Sequence, residues 1–297
     1  MSATETGAAT PVRSDFAHGL RRWFSNSGVT VGGGLLILIV LCALVGPLLV
    51  PHDAFDQSLI KRLRPPAWSG GLPEHPLGTD HLGRDYLARL LWGGRISLMI
   101  GLSTVIIACG IGTTMGILAG FYGGRVDFAV RFLIMVRLAL PAVLIALAIA
   151  FIAGPSLQLL VIVLGLLLWD RFAVVARATT LQLRNREFVV AARAVGCSDF
   201  SIIMRDILPN ISNQIIVIAT VEFANAVLIA AALSFLGLGV QPPLPDWGLM
   251  IAEGKQYILF SPYLITLPGI AMMLLVLAVN LLGDGIRDVT DPEAKGR

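Results

Sequence analysis

Glu222 and Asn225 stand three residues apart in an otherwise apolar stretch, so a helix there places both on one face. An ionisable group inside an oily helix is costly and usually meets a cavity or a partner. Such a pair could receive a cationic group, including the amino terminus of a small molecule in transit, or could pack against another helix. His75, Asp80, His81 and Asp85 form a second constellation. Their types could hold a metal ion. Gly78-Thr79-Asp80 reads instead as turn chemistry, and Asp85 as a helix cap or a partner of Arg84 or Arg89, so no metal site is assigned. A third spacing, Gly248 to Gly254-Lys255, imitates a phosphate-cradling loop. It has five residues between the glycines where four are needed, and Gln256 follows the lysine. The chain is therefore expected to have no catalytic residues and no cofactor of its own.

The elements that carry these residues must suit lipid. Of 297 residues, 56% are hydrophobic and 14% charged. Soluble domains carry about a quarter charged residues, so this is the composition of an integral membrane protein. The net charge of +3 and the lack of a basic stripe with interleaved aromatics argue against nucleic acid. Cys42, Cys109 and Cys197 are far apart, odd in number and without CxxC spacing, which predicts free thiols.

A span needs about 20 apolar residues. Six stretches qualify: 31–50, 96–124, about 128–153, about 157–175, roughly 213–236 and roughly 263–283, with Gly154-Pro155 separating the third from the fourth. Lipid leaves helices as the only option for runs of this length, giving an all-α, six-span fold. Gly112, Gly116 and Gly120 put a ridge of small residues on the second span, expected to pack within the chain. Lys and Arg in the loops set orientation. The 4–5 loop has Arg171, Arg177, Arg184, Arg186, Arg193 and Arg205, and the tails add Arg13, Arg21, Arg22, Arg287, Lys295 and Arg297. Both termini are thus expected in the cytoplasm. The 1–2 loop dissents with Lys61, Arg62, Arg64, Arg84, Arg89 and Arg95, yet an even number of spans keeps it outside.

The 4–5 loop has its own design. Glu187 to Ala194 contains good helix formers and alanines, and Gly196 suits the left-handed position past a helix end. Ser198 can cap a second short helix, with Asp199 in its first turn, and Pro209 marks a bend into the next element. Ala191 and Ala192 leave a low-profile face able to enter a groove on a partner. On the residues alone this elbow is either a coupling device or a solvated connector.

Ala191-Ala192, three residues, Gly196, then Leu208-Pro209 resembles the EAA loop of bacterial ABC-importer permeases. Departures are Val190 where that pattern has Glu before the alanines, with Glu187 three residues earlier, and Asp206 in place of Ile. Leu77-Gly78-Thr79-Asp80-His81-Leu82-Gly83-Arg84-Asp85, Leu233-Ser234-Phe235-Leu236-Gly237-Leu238-Gly239 and Asn280-Leu281-Leu282-Gly283-Asp284-Gly285 resemble the C-type permease of dipeptide, oligopeptide and nickel importers. The resemblance implies a permease subunit in the inner (cell) membrane. It implies a B-type permease as heterodimer partner, two ABC ATPase subunits that hold ATP and Mg, an extracytoplasmic solute-binding protein, and peptide as cargo. Glu187, Ala191, Ala192, Gly196, Leu208 and Pro209 would form the ATPase-coupling loop, and Glu222 and Asn225 a part of the translocation path. The expected organisation is a cytoplasmic tail (1–29), a permease domain (30–293) with external loop 51–95 and coupling loop 176–212, and a tail end (294–297). Nickel, haem or glutathione cargo and an ion-driven carrier are the rival readings.

Overall fold

The computed structural model describes residues 25–290. Arg13, Arg21, Arg22, Lys295 and Arg297, most of segment 1–29 and all of segment 294–297 lie outside the described residues. Among the described residues the elements are helices, with a single isolated bridge between Thr79 and Asp85.

Five helices are long and apolar enough to cross a membrane. They are α1 (Gly28–Leu49), α2 (Tyr86–Tyr122), α5 (Leu157–Leu183), α7 (Asp199–Phe235) and α9 (Tyr263–Thr290). Between α2 and α5 run α3 (Gly124–Leu138) and α4 (Ala142–Ala153), bent by 79° at their junction. Counted as one broken span, this pair makes six. The expected third span over about 128–153 is thus met by two helices and not by one continuous helix. Pro141 lacks an amide proton and disfavours helical backbone at Leu140, so the helix stops and restarts. Among the described residues there are also two short α-helices, α6 (Glu187–Ala194) and α8 (Trp247–Gly254), and three 3₁₀ turns at Leu59–Lys61, Ala67–Ser69 and Lys255–Tyr257.

Two spans outrun their apolar stretches. Helices α2 and α7 have 37 residues each, about 55 Å, against a hydrocarbon core of about 30 Å. The start of α2 is fixed by Asp85, which accepts the Ala88 N–H at 2.8 Å. Its extra turns tolerate Arg89 because buried acids neutralise that residue (below). At the other end of the chain, α7 continues through a five-residue π-helical turn (Ile203–Ile207) into Leu208-Pro209 without the expected bend. Pro209 stands in the first turn of the α-helical segment that follows the π-helical turn, so its missing N–H falls where the hydrogen-bond register changes.

The bundle is organised around α2, which packs most extensively on α5. Gly112, Gly116 and Gly120 make the contact. A Cβ on each would stand 2.7 Å from a Cβ of α5, those of Phe172, Ala176 and Thr180 respectively. The small-residue ridge therefore serves packing within the chain. Gly28 and Gly32 do the same for α1 against α9, where a Cβ would come 2.8 Å from the Leu281 and Ala278 carbonyls. One apolar cluster joins α2, α5, α6 and α7 through Phe121, Phe172, Val189, Ile202 and Ile207; another joins α2, α7, α8 and α9 through Tyr86, Trp247, Met250 and Leu275.

Candidate functional site

Three polar regions punctuate the bundle, at one end of it, at its middle and at the elbow. The first is a cap built from the segment between α1 and α2 and from α8. Asp80 Oδ2 lies 2.6 Å from Arg84 Nε and 3.3 Å from Arg89 Nε. Glu253 Oε2, on α8, lies 3.3 Å from Arg84 Nη2 and 2.9 Å from Arg89 Nη2. Two arginines and two acids cancel in a buried cluster, which is how such charges survive away from water. Asp85 pairs with His75 at 2.7 Å, Nδ1 to Oδ2, and not with Arg84 or Arg89; the acid that binds the arginines is Asp80. His75 Nε2 is 3.3 Å from Lys61 Nζ, so both ring nitrogens are engaged. His81 stacks on Tyr257, with centroids 6.0 Å apart, and burial pushes its pKa below the usual histidine value. Asp246 caps α8 through the Leu249 N–H and accepts from Ser97 Oγ at 2.7 Å. Tyr86 Oη donates to the Leu264 carbonyl at 2.7 Å, tying α2 to α9.

The second region lies partway along α7. Glu222 is 1% exposed and faces α5 of the same chain. Its Oε1 is 3.0 Å from Arg171 Nη1 and accepts from Asn225 Nδ2 at 3.3 Å, so the expected juxtaposition of Glu222 and Asn225 on one helix face is present. Its Oε2 is buried and has no hydrogen-bond partner among the described residues. Arg171 was expected in the cytoplasmic loop. It lies instead inside α5, next to Asp170, just past an interruption at Leu168. The Leu167 carbonyl at that interruption accepts from Arg137 Nε, which is also 3.5 Å from Asp170 Oδ1. Arg137 thus meets both an acid and a carbonyl. Leu138, Asp170, Arg171, Val174, Val221 and Glu222 line a cavity of about 280 Å³. Arg171 was the missed member. Its only sequence signal was the pair Asp170-Arg171 at the end of an uncharged run.

The third region is the elbow. Glu187 stands in the first turn of α6, where a negative charge favours the helix. The helix ends in a Schellman motif: Cys197 N–H reaches the Ala192 carbonyl at 3.0 Å, Gly196 N–H reaches that of Arg193 at 3.0 Å, and Gly196 has φ +89°. Ser198 then caps α7 through the Ser201 N–H. The two alanines divide their roles. Ala192 packs against the apolar cluster that buries Val189, whereas Ala191 is exposed. Leu208 packs on the same cluster and Pro209 is exposed. Arg193 lies over the Phe121 ring at 4.8 Å. Among its charged and polar exposed residues the elbow also presents large apolar ones: Val195 is 86% exposed and Phe200 73%, with Phe188, Val190 and Met204 exposed as well. Cys197, beside them, is a free exposed thiol.

Residues 112–296 match the family model described as the binding-protein-dependent transport system inner membrane component. Residues 15–66 match the N-terminal TM domain of oligopeptide transport permease C. The chain is 43% identical to the di/tripeptide transport system permease protein DppC of Pseudomonas aeruginosa, over 91% of this chain and 89% of that one. It is 40% identical to the dipeptide transport system permease protein DppC of Alkalihalophilus pseudofirmus, over 97% and 92%. It is 38% identical to the glutathione transport system permease protein GsiD of Pectobacterium atrosepticum, over 92% and 90%. Among solved structures it shares its fold with the MetNI methionine ABC transporter in an inward-facing form, with a TM-score of 0.55 at 19% identity, covering 68% of this chain and 96% of that one. Helices of membrane length, a match over most of the bundle and relatives that span nearly the whole chain converge: the chain belongs to the family of binding-protein-dependent inner-membrane transport components and is an ABC-importer permease.

Proposed function

We propose that this chain is the C-type permease of an ATP-driven peptide importer in the inner membrane, with both termini cytoplasmic. A second, B-type permease completes the path. Two ATPase subunits holding ATP and Mg grip the elbow, and an extracytoplasmic binding protein delivers cargo. The organisation follows the reading above, with segment 51–95 outside and segment 176–212 inside. Three of the six charges that complicate this orientation are paired with acids: Arg84 and Arg89 with Asp80 and Glu253, and Lys61 with Glu74 at 3.2 Å. The observation that carries the coupling role is the exposed apolar surface of Phe188, Val195, Phe200 and Met204 on an elbow whose other side is locked into the bundle by Val189 and Ile202. A surface of this kind suits burial by a partner. The anchored side would transmit motion to α5 and α7. ATP can bias such motion only by binding the two states with different affinity.

Val195 and Phe200 are the residues to change, because their side chains make little of the fold. Val195→Glu with Phe200→Glu should leave insertion and melting within about 0.5 kcal/mol of wild type. ATP-driven peptide uptake should fall to background, and Cys197 should become open to maleimide in the complete complex. Full uptake by the double variant would remove the elbow from coupling. Glutathione cargo is a second reading, favoured by the relative of that name at 38% identity. Uptake competition between dipeptides and glutathione separates the two.

A further inference from the structure

Four charges meet where the last turn of α3 reaches the middle parts of α5 and α7, and they are not equivalent. Arg137 and Asp170 are mostly buried, with side chains 15% and 4% exposed, and hold one another. Glu222 and Arg171 are unequal partners. The carboxylate is buried with one oxygen unused, while the Arg171 side chain is 60% exposed. Arg171 lies near the middle of the 27-residue α5 and about one turn inside the expected end of the span at 175, where a guanidinium borders water, headgroups or protein. The cavity that both line, about 280 Å³, falls just below the roughly 300–1,000 Å³ of small-molecule sites.

We infer that Arg171 and Glu222 form a two-ended site for the free termini of a short peptide, the Glu222 carboxylate taking the amino terminus and the Arg171 guanidinium the carboxylate. The inference rests on the peptide-path reading above. Without cargo, each group neutralises the other. An arriving peptide exchanges one ion pair for two, so no charge is left bare during passage. The resident pair also competes with the cargo, which keeps binding weak enough for release, as a conduction path requires. Val174 and Val221 line the same cavity and offer side chains of a small peptide apolar contact.

The test uses the complete complex with its companion subunits and binding protein in liposomes. The probes are Ala-Ala and its N-acetylated, C-amidated form. The ratio of their uptake rates, divided by the wild-type ratio, cancels selection made by the binding protein. Glu222→Gln combined with Arg171→Gln leaves no unpaired buried charge. The ratio should fall about tenfold, the scale of one charged hydrogen bond. If both rates fall together and the ratio holds, the face carries cargo but does not read its termini, and the inference is overturned while the path reading stands. If neither rate changes, both fail. Should the double variant not assemble, Glu222→Asp retracts the carboxylate with its charge kept, and an unchanged ratio there overturns the inference equally.

Discussion

Helix α7 stands between two concave surfaces of opposite character. Ile216, Ala219, Thr220 and Phe223 face a cavity of about 610 Å³ shared with α1, α2 and α9; Ile218, Val221 and Glu222 face the cavity of about 280 Å³ shared with α3 and α5. At 3.6 residues per turn these two sets lie roughly 160° apart around the helix. The larger space is oily, with Arg95 and Thr220 the only polar side chains among its lining residues. The smaller holds two acids of its own, with Arg171 beside them. Size alone would choose the first as the site. Charge at membrane depth chooses the second, because an ion pair there must be kept by function or by partners, whereas an apolar groove between helices costs nothing in lipid.

That contrast can be broken in several ways. The largest expected effect is Arg171→Gln alone, which leaves the buried Glu222 carboxylate with Asn225 as its remaining partner. Because the Arg171 side chain is itself 60% exposed, the stability of the purified complex should fall by only about 1–2 kcal/mol. Adding Glu222→Gln should restore most of the melting temperature. If the single variant melts like wild type, the pair is not a buried electrostatic contact. Next is Gly196→Ala at the elbow. No atom lies within 4 Å of the added Cβ, so only the left-handed backbone resists it, at about 1 kcal/mol. Slower uptake with an intact bundle is expected, and unchanged uptake would show that the motif tolerates a side chain. Smaller still is Leu102→Ala on the oily face. This residue is already 57% exposed, and the change should move stability by less than about 0.5 kcal/mol and uptake by less than about twofold. A severe uptake defect there would reverse the assignment of the two faces.

The cap formed by the segment between α1 and α2 and by α8 offers a further contrast, since its Asp246 is buried and lines neither cavity. Burial pushes the Asp246 carboxyl above the usual carboxylate range, with hydrogen bonds from Ser97, Ser234 and Leu249 opposing the shift. A raised folded value means that the fold prefers the protonated acid. That contribution to stability is full below about 3.9, the ordinary value, and disappears as pH rises through the raised one. Asp246→Asn retains a capping oxygen and should melt no lower than wild type at pH 7, with a flatter dependence on acid. A lower melting temperature at pH 7 would mean that the charge itself holds α8.

Apolar stretches and turn residues announced most of the fold. The runs around residues 31–50 and 263–283 became α1 and α9, and Gly154 separates α4 from α5. Helix extensions were hidden wherever a charge finds a partner distant in sequence. Arg89 meets Glu253, and Arg171 meets Glu222, so neither charge ends its helix. The same blindness affected the site. Glu222 was visible as a lone acid in an oily helix, but the partner that defines the cavity could not be read from spacing. At the elbow, the glycine and the cap were legible. The division of Ala191 outward and Ala192 inward, and the exposure of Val195 and Phe200, depend on tertiary packing.

Where cargo touches α7 is the most direct question. A dipeptide bearing a photoreactive side chain, irradiated in the energised complex and mapped by mass spectrometry, answers it. Labels on Val174, Val221 or their immediate neighbours are the predicted result. Labels confined to Leu102, Ile216 and Phe223 would contradict the account.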